Sequence, residues 1–133
     1  MKRILVAYDG GEPAKRALET AVELAKKFDA TISVVSVVPY RPGRWPVDPW
    51  DDELVHRDAL AEARSLLALQ GIEAETLEPL GDPARTVERI ARDGDYDAVV
   101  IGSHAMNAIE RLLLGSVSEH VAAHSNATVI VAR

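Results

Sequence analysis

The chain has no cysteine, so disulfides and thiol chemistry are excluded, which suits a cytoplasmic setting. Aromatic residues make up only 5%, with a single phenylalanine, so the core has to be built from Val, Ile, Leu and Ala. No apolar run approaches the length that crosses a bilayer, and Met1-Lys2-Arg3 leads straight into a strand-like run; neither a membrane segment nor a signal peptide is expected. Basic residues are outnumbered, 15 Lys and Arg against 21 Asp and Glu, for a net charge of −6. That excludes non-specific binding to nucleic acid or to an anionic membrane, both of which need a basic face. It does not exclude a nucleotide, because one local cluster of donors can hold phosphates in an acidic protein. The G-x-x-x-x-G-K-[ST] and G-x-G-x-x-G patterns are missing too, and with them the signatures of a Walker-type ATPase and a dinucleotide dehydrogenase.

What remains is ordinary for a soluble globular protein: 47% hydrophobic, 27% charged, 133 residues, read as a single domain over 1–133. Arg3 to Tyr8 is an aliphatic strand stopped by Asp9-Gly10-Gly11. Pro13 opens a helix whose buried stripe is expected to be Ala14, Ala17, Leu18, Ala21, Ala25 and Phe28. Thr31 to Val38 is a second, nearly continuous apolar strand of the kind covered on both faces. The Pro- and Trp-rich segment 39–50, with Trp45 and Trp50, reads as an inserted loop; covering a crevice and packing on a neighbouring subunit are both open to it. Asp51 or Asp52 is then expected to cap a helix to about Leu69, with Val55, Ala59, Ala63 and Leu66 on its inner side. Ile72 to Glu78 suits an edge strand. Asp82 and Pro83 mark the start of a third helix carrying Ala84, Val87, Ile90 and Ala91. Ala98 to Ile101 is a fourth strand, Val117 to about Ser125 a fourth helix, and Ala127 to Ala132 a fifth strand. Strand and helix thus alternate, and right-handed crossovers turn that order into a doubly wound α/β fold: a five-stranded parallel sheet with four helices on its two faces.

The stretch Asp97 to Ser118 is the candidate functional segment. A buried strand ends at Gly102, and a helix begins where Ser116 and Glu119 form the S-x-x-E of a capping box. Ser116 can simply cap that helix, or the helix N-terminus can receive a phosphate. In a doubly wound sheet ligands bind at the carboxyl ends of the strands, beside the switch point. With the first and fourth strands adjacent there, Asp9 and the Gly102 loop face one crevice, closed by Gly115-Ser116. His120 and His124 share a helix face but lack a third ligand, so no metal site is expected. A phosphorelay receiver needs an acidic cluster where Asp9 stands alone. Ser116 and Ser118 have no evident histidine–carboxylate arrangement and no acid–base pair is visible, so the chain is not expected to be an enzyme.

On these residues the chain resembles the universal stress protein family, whose nucleotide-binding branch carries G-x2-G-x9-G-[ST] after the fourth strand. Gly102 matches the first glycine, Met106 to Leu114 the nine-residue spacer, Gly115 the third glycine and Ser116 the hydroxyl. The similarity covers the whole chain, including Asp9-Gly10, Gly81-Asp82-Pro83 and the segment LLLGSVS. It implies a Rossmann-like sandwich of the adenine-nucleotide α-hydrolase kind, with strand order 3-2-1-4-5. It implies an ATP-binding stress-response regulator, possible magnesium included, with adenine and ribose against Ala7, Asp9 and Val37. The phosphates would lie among Gly102, His104, Ala105, Gly115, Ser116 and Val117. It also implies a homodimer through the strand Ala127 to Ala132, an edge that invites pairing. One residue departs from the pattern: Ala105 stands at the second glycine, where a left-handed backbone would cost alanine roughly 1–2 kcal/mol. Two alternatives stay open, a nucleotide-free protein acting through dimerisation and partner contacts, and a different adenine ligand such as a cyclic nucleotide. His104 is either a phosphate donor or a solvated loop residue.

Overall fold

The continuous apolar runs become the strands of one sheet in a computed structural model, which describes residues 1–39, 53–103 and 127–132. In chain order the strands are β1 (Arg3–Ala7), β2 (Thr31–Val35), β3 (Val38–Pro39), β4 (Glu75–Leu77), β5 (Leu80–Gly81), β6 (Ala98–Gly102) and β7 (Thr128–Ala132). Five of them form a parallel sheet in the order β4-β2-β1-β6-β7. Counted within that sheet alone, this is third-second-first-fourth-fifth. The numbering shifts because two very short strands, β3 and β5, pair with each other apart from the sheet, which the sequence does not predict.

β1 is the centre: Ile4 lies beside Ile32 of β2 and Ala98 of β6. Its side chains alternate between two buried layers. Ile4, Val6 and Tyr8 join Ile32, Val34 and Val100 against the helices α1 (Glu12–Phe28) and α2 (Glu53–Leu69). Leu5 joins Val35, Val99 and Ile101 against α3 (Pro83–Asp93). With helices on both sides the inner strands β1, β2 and β6 are buried along nearly their whole length, so they read as unbroken apolar runs rather than alternating ones.

α1 lies on β6 and β1 through Ala14, Ala17, Leu18, Ala21 and Ala25, whose small side chains permit close approach. Phe28, expected on that stripe, is instead 48% exposed. It is the last helical residue, and the chain reverses at Asp29 in the left-handed region (φ 55°). α2 is rotated from the expected face. Ala59, Leu60, Ala63 and Leu67 are buried, whereas Leu66 is exposed. The rotation carries His56 inward, where its Nδ1 sits 2.6 Å from the Ser36 hydroxyl just beyond β2. β2 stops at Val35 rather than Val38, and the edge strand pairs only over Glu75–Leu77. α3 starts as its residues dictate: Pro83 occupies the first turn, and Asp82 Oδ2 accepts from the Arg85 N–H at 3.0 Å. The expected Asp51 or Asp52 cap and the fourth helix lie outside the described residues. Among the described residues no helix is long and apolar enough to cross a membrane.

At the amino end of the sheet, Asp97 Oδ2 accepts from the N–H groups of Lys2 (2.7 Å) and Arg3 (2.9 Å). Those two bonds hold its carboxyl below the usual aspartate range.

Candidate functional site

The carboxyl ends of β1, β2 and β6 come out side by side at the opposite end of the sheet. Ala7 of β1 lies beside Val35 of β2, and the next amide, Tyr8 N–H, donates to Val35 O at 2.9 Å. Two residues past the paired segment stands Asp9 on one strand and Val37 on the other. Ala7 is half-buried and Val37 buried, both within the layer facing α3. Asp9 is exposed. Its Oδ1 accepts from Gly11 N–H at 2.9 Å, closing a side-chain turn across Gly10, whose φ of 83° favours glycine. Its Oδ2 has no partner among the described residues.

The same turn launches α1. Gly11 is the N-cap, in extended conformation and without a side-chain capping bond. Pro13 has no N–H to leave unpaired. Against that first turn sits Gly102, the end of β6. A Cβ there would lie 2.6 Å from the carbonyl carbon of Pro13 and 2.8 Å from the nitrogen of Ala14, closer than real Cβ contacts allow. Asp9 and Gly102 therefore meet at one place, the start of α1, from adjacent strands. Of the residues expected to bind a ligand, Ala7, Asp9, Val37 and Gly102 are brought to this one end. His104, Ala105, Gly115, Ser116 and Val117 lie outside the described residues, as do His120, His124, Trp45 and Trp50.

Two polar contacts at this end have no counterpart in the sequence reading. Tyr8 is buried on the α1/α2 side, and its hydroxyl donates to Glu62 Oε1 at 2.6 Å. Burial raises the Tyr8 pKa well above the ordinary tyrosine value, helped by Glu62 and, less, by Asp9 and Glu12. Lys15 Nζ lies 3.8 Å from Glu62 and 3.9 Å from Glu12. The neighbourhood of Asp9 is thus acidic, with one lysine shared between two carboxylates. The second contact is the buried Ser36–His56 pair, which ties the first turns of α2 to the end of β2. Alternation along β1 would have turned Tyr8 toward α2, but no spacing names Glu62, 54 residues away. Among the described residues no group of acidic or histidine side chains is arranged to hold a metal ion.

A parallel α/β sheet with a carboxylate, a close-packed glycine and a helix start gathered at its switch point defines the class of doubly wound proteins that present a crevice there. The family model described as the universal stress protein family matches residues 1–133, and the chain belongs to that family. A Staphylococcus saprophyticus protein assigned to the same family is 32% identical over 140 residues, covering 99% of this chain and 83% of that protein. A crystal structure from Burkholderia pseudomallei, of a universal stress protein family member, superposes with a TM-score of 0.72 at 30% identity over 98% of this chain and 94% of the other. A universal stress protein from Archaeoglobus fulgidus, solved in complex with dAMP, gives a TM-score of 0.70 at 26% identity, covering 100% and 98% of the two chains.

Proposed function

We propose that this universal stress protein binds ATP at the carboxyl end of β1 and β6 and works in the cytoplasm as a homodimeric, non-catalytic regulator. The observation that supports it is the convergence of Asp9 and Gly102 on the start of α1, at the head of the segment that continues to Gly115-Ser116. The bound dAMP of the Archaeoglobus fulgidus relative supports an adenine nucleotide as the ligand class. The described residues fit such a ligand. Asp9 is held by Gly11 through one oxygen, and its other oxygen is available to accept from a ribose hydroxyl. Half-buried Ala7, with Val37 buried beside it, offers apolar surface for a base at the ends of their strands. Asp9, Glu12 and Glu62 repel phosphates from their side of the crevice, so the phosphates belong with the amides of 102–105 and 115–117, where magnesium is a natural counter-ion. When bound, the nucleotide changes a surface that a partner reads.

β7 is the edge strand beyond β6, and Val129, Ile130 and Val131 are only partly buried. An apolar edge of this kind supports dimerisation through the strand Ala127 to Ala132. A nucleotide-free reading draws on one observation: packing against Pro13 and Ala14 already requires glycine at 102, without any ligand. Calorimetric titration with ATP and magnesium separates the two. Binding heat with a single site is expected; no heat and no thermal shift at millimolar nucleotide overturns the ATP reading. Ala105→Gly then reports what the alanine costs. A gain of about tenfold or more in affinity corresponds to the roughly 1.4 kcal/mol expected of a left-handed position.

A further inference from the structure

The buried Ser36–His56 pair has no part in the nucleotide reading, and a third polar group stands beside it. The bonds from Ser36 N–H to Leu77 O (3.0 Å) and from Val38 N–H to Pro79 O (2.8 Å) extend the β2–β4 register. It runs from Val35 beside Leu77 to Val38 beside Leu80. Glu78 is therefore opposite Ser36, one strand spacing of about 4.8 Å away. Leu77 packs in the layer facing α3, so Glu78, the next residue, turns to the α2 side, where Ser36 meets His56. Glu78 Oε1 is buried with no hydrogen-bond partner among the described residues. A buried carboxylate oxygen without a donor is costly, and such an atom in a native fold calls for a reason.

A serine hydroxyl has one proton to give. With His56 Nδ1 bare, Ser36 O–H donates to it across 2.6 Å, and nothing is left for Glu78. With Nδ1 protonated, the ring donates to Ser36 Oγ, and the hydroxyl proton can turn to Glu78. The three side chains then form one row, Nδ1–H to Oγ and O–H to Oε1, in which the Glu78 carboxylate also offsets the imidazolium charge. We propose that this row is an acid-sensitive switch: in mild acid His56 gains a proton, and Ser36 and Glu78 lock the start of α2 onto the ends of β2 and β4. Imidazole is the side-chain group that ordinarily changes charge in this range, at about pH 6.5. The charged groups on the surrounding elements are committed or turned away. From β1, Tyr8 donates to Glu62 of α2, and Lys15 of α1 lies between Glu62 and Glu12. On α2 itself Arg57 and Asp58 are exposed. His56 is engaged elsewhere as well, and Nδ1 alone takes part in the row. The sign is opposite to that of surface carboxylates: the link is made as pH falls and undone as pH rises.

The test follows the full chain, labelled with nitrogen-15 and without nucleotide, by NMR between pH 8 and pH 5.5, so its result does not depend on the ATP reading. The His56 ring nitrogens should show Nδ1 taking up a proton. Over the same range, hydrogen exchange corrected for its intrinsic pH dependence should slow at Ser36, at Val38 and in the first turns of α2. The expected slowing is about threefold or more, as one added hydrogen bond gives. Ser36→Ala and Glu78→Gln should each abolish it. Glu78→Gln should also move the His56 titration toward acid by about half a unit, because the offsetting charge is gone. Both substitutions are small, and an amide spectrum at pH 8 that matches wild type away from the row verifies the fold. Three results overturn the proposal: a His56 ring that takes no proton down to pH 5.5, proton uptake without slower exchange at these amides, or slowing that persists undiminished in either variant.

Discussion

Gly102→Ala separates what the fold requires from what a ligand would require. The added methyl would stand 2.6 Å from the Pro13 carbonyl carbon and 2.8 Å from the Ala14 nitrogen, both backbone atoms of a helix already packed on β6. Neither can swing aside as the end of a flexible side chain would. Either α1 tilts off the sheet or β6 slides, and such overpacking costs about 1–3 kcal/mol. For a chain of this length each kcal/mol lowers the melting temperature by roughly 3–4 °C. Circular dichroism melting of protein stripped of nucleotide should therefore fall by about 3–12 °C relative to wild type. An unchanged melting temperature would refute the packing argument and leave ligand approach as the main reason for glycine. Affinity for ATP, measured on the same variant below its melting range, should fall too, because the start of α1 and Asp9 move with the helix.

Four further expectations follow from particular contacts. Tyr8→Phe removes the hydrogen bond to Glu62, whose side chain is 48% exposed, and should cost about 1 kcal/mol, read as a lower urea midpoint. With the Tyr8 pKa raised in the folded state, its contribution is whole below the unfolded tyrosine value near 10 and is lost as pH rises beyond it. Base-induced unfolding should thus carry a component absent from Tyr8→Phe. Asp97 has the opposite sign: its lowered pKa gives stability above the ordinary aspartate value of 3.8 that disappears as pH falls through the folded value, and Asp97→Asn should flatten the acid limb of the stability curve while speeding amide exchange at Lys2 and Arg3. Asp82→Ala should cost about 1 kcal/mol through loss of the α3 cap.

The parallel sheet was readable because both its faces are covered. Runs such as Arg3 to Tyr8 and Ala98 to Ile101 have no polar alternation to confuse them, and Asp82-Pro83 marks a helix start by chemistry that acts within four residues. α2 was harder. Its true stripe contains a histidine and two alanines, while Leu54, Leu66 and Leu69 face water, so hydrophobic periodicity points one residue away from the buried face. The distant partner Ser36 is part of why His56 is inside. Phe28 misled for a related reason: periodicity assumes the helix continues, but the left-handed Asp29 ends it. At the candidate site, Asp9 and Gly102 were legible as turn and strand-end residues, and adjacent strands do carry them to one place. That Gly102 is also demanded by the backbone of Pro13 was not legible, since the spacing of a motif says nothing about which neighbour presses on it. Tyr8–Glu62 bridges 54 residues and belongs to tertiary structure alone.

The most direct trial is isothermal titration of the nucleotide-free chain with ATP and magnesium, run beside Asp9→Ala. One binding event per chain is expected, weakened about tenfold or more in the variant, the loss of a roughly 1.5–3 kcal/mol hydrogen bond to a charged group. Equal heats from both proteins, or none from either at millimolar ATP, would contradict a nucleotide seated between the first strand and Gly102.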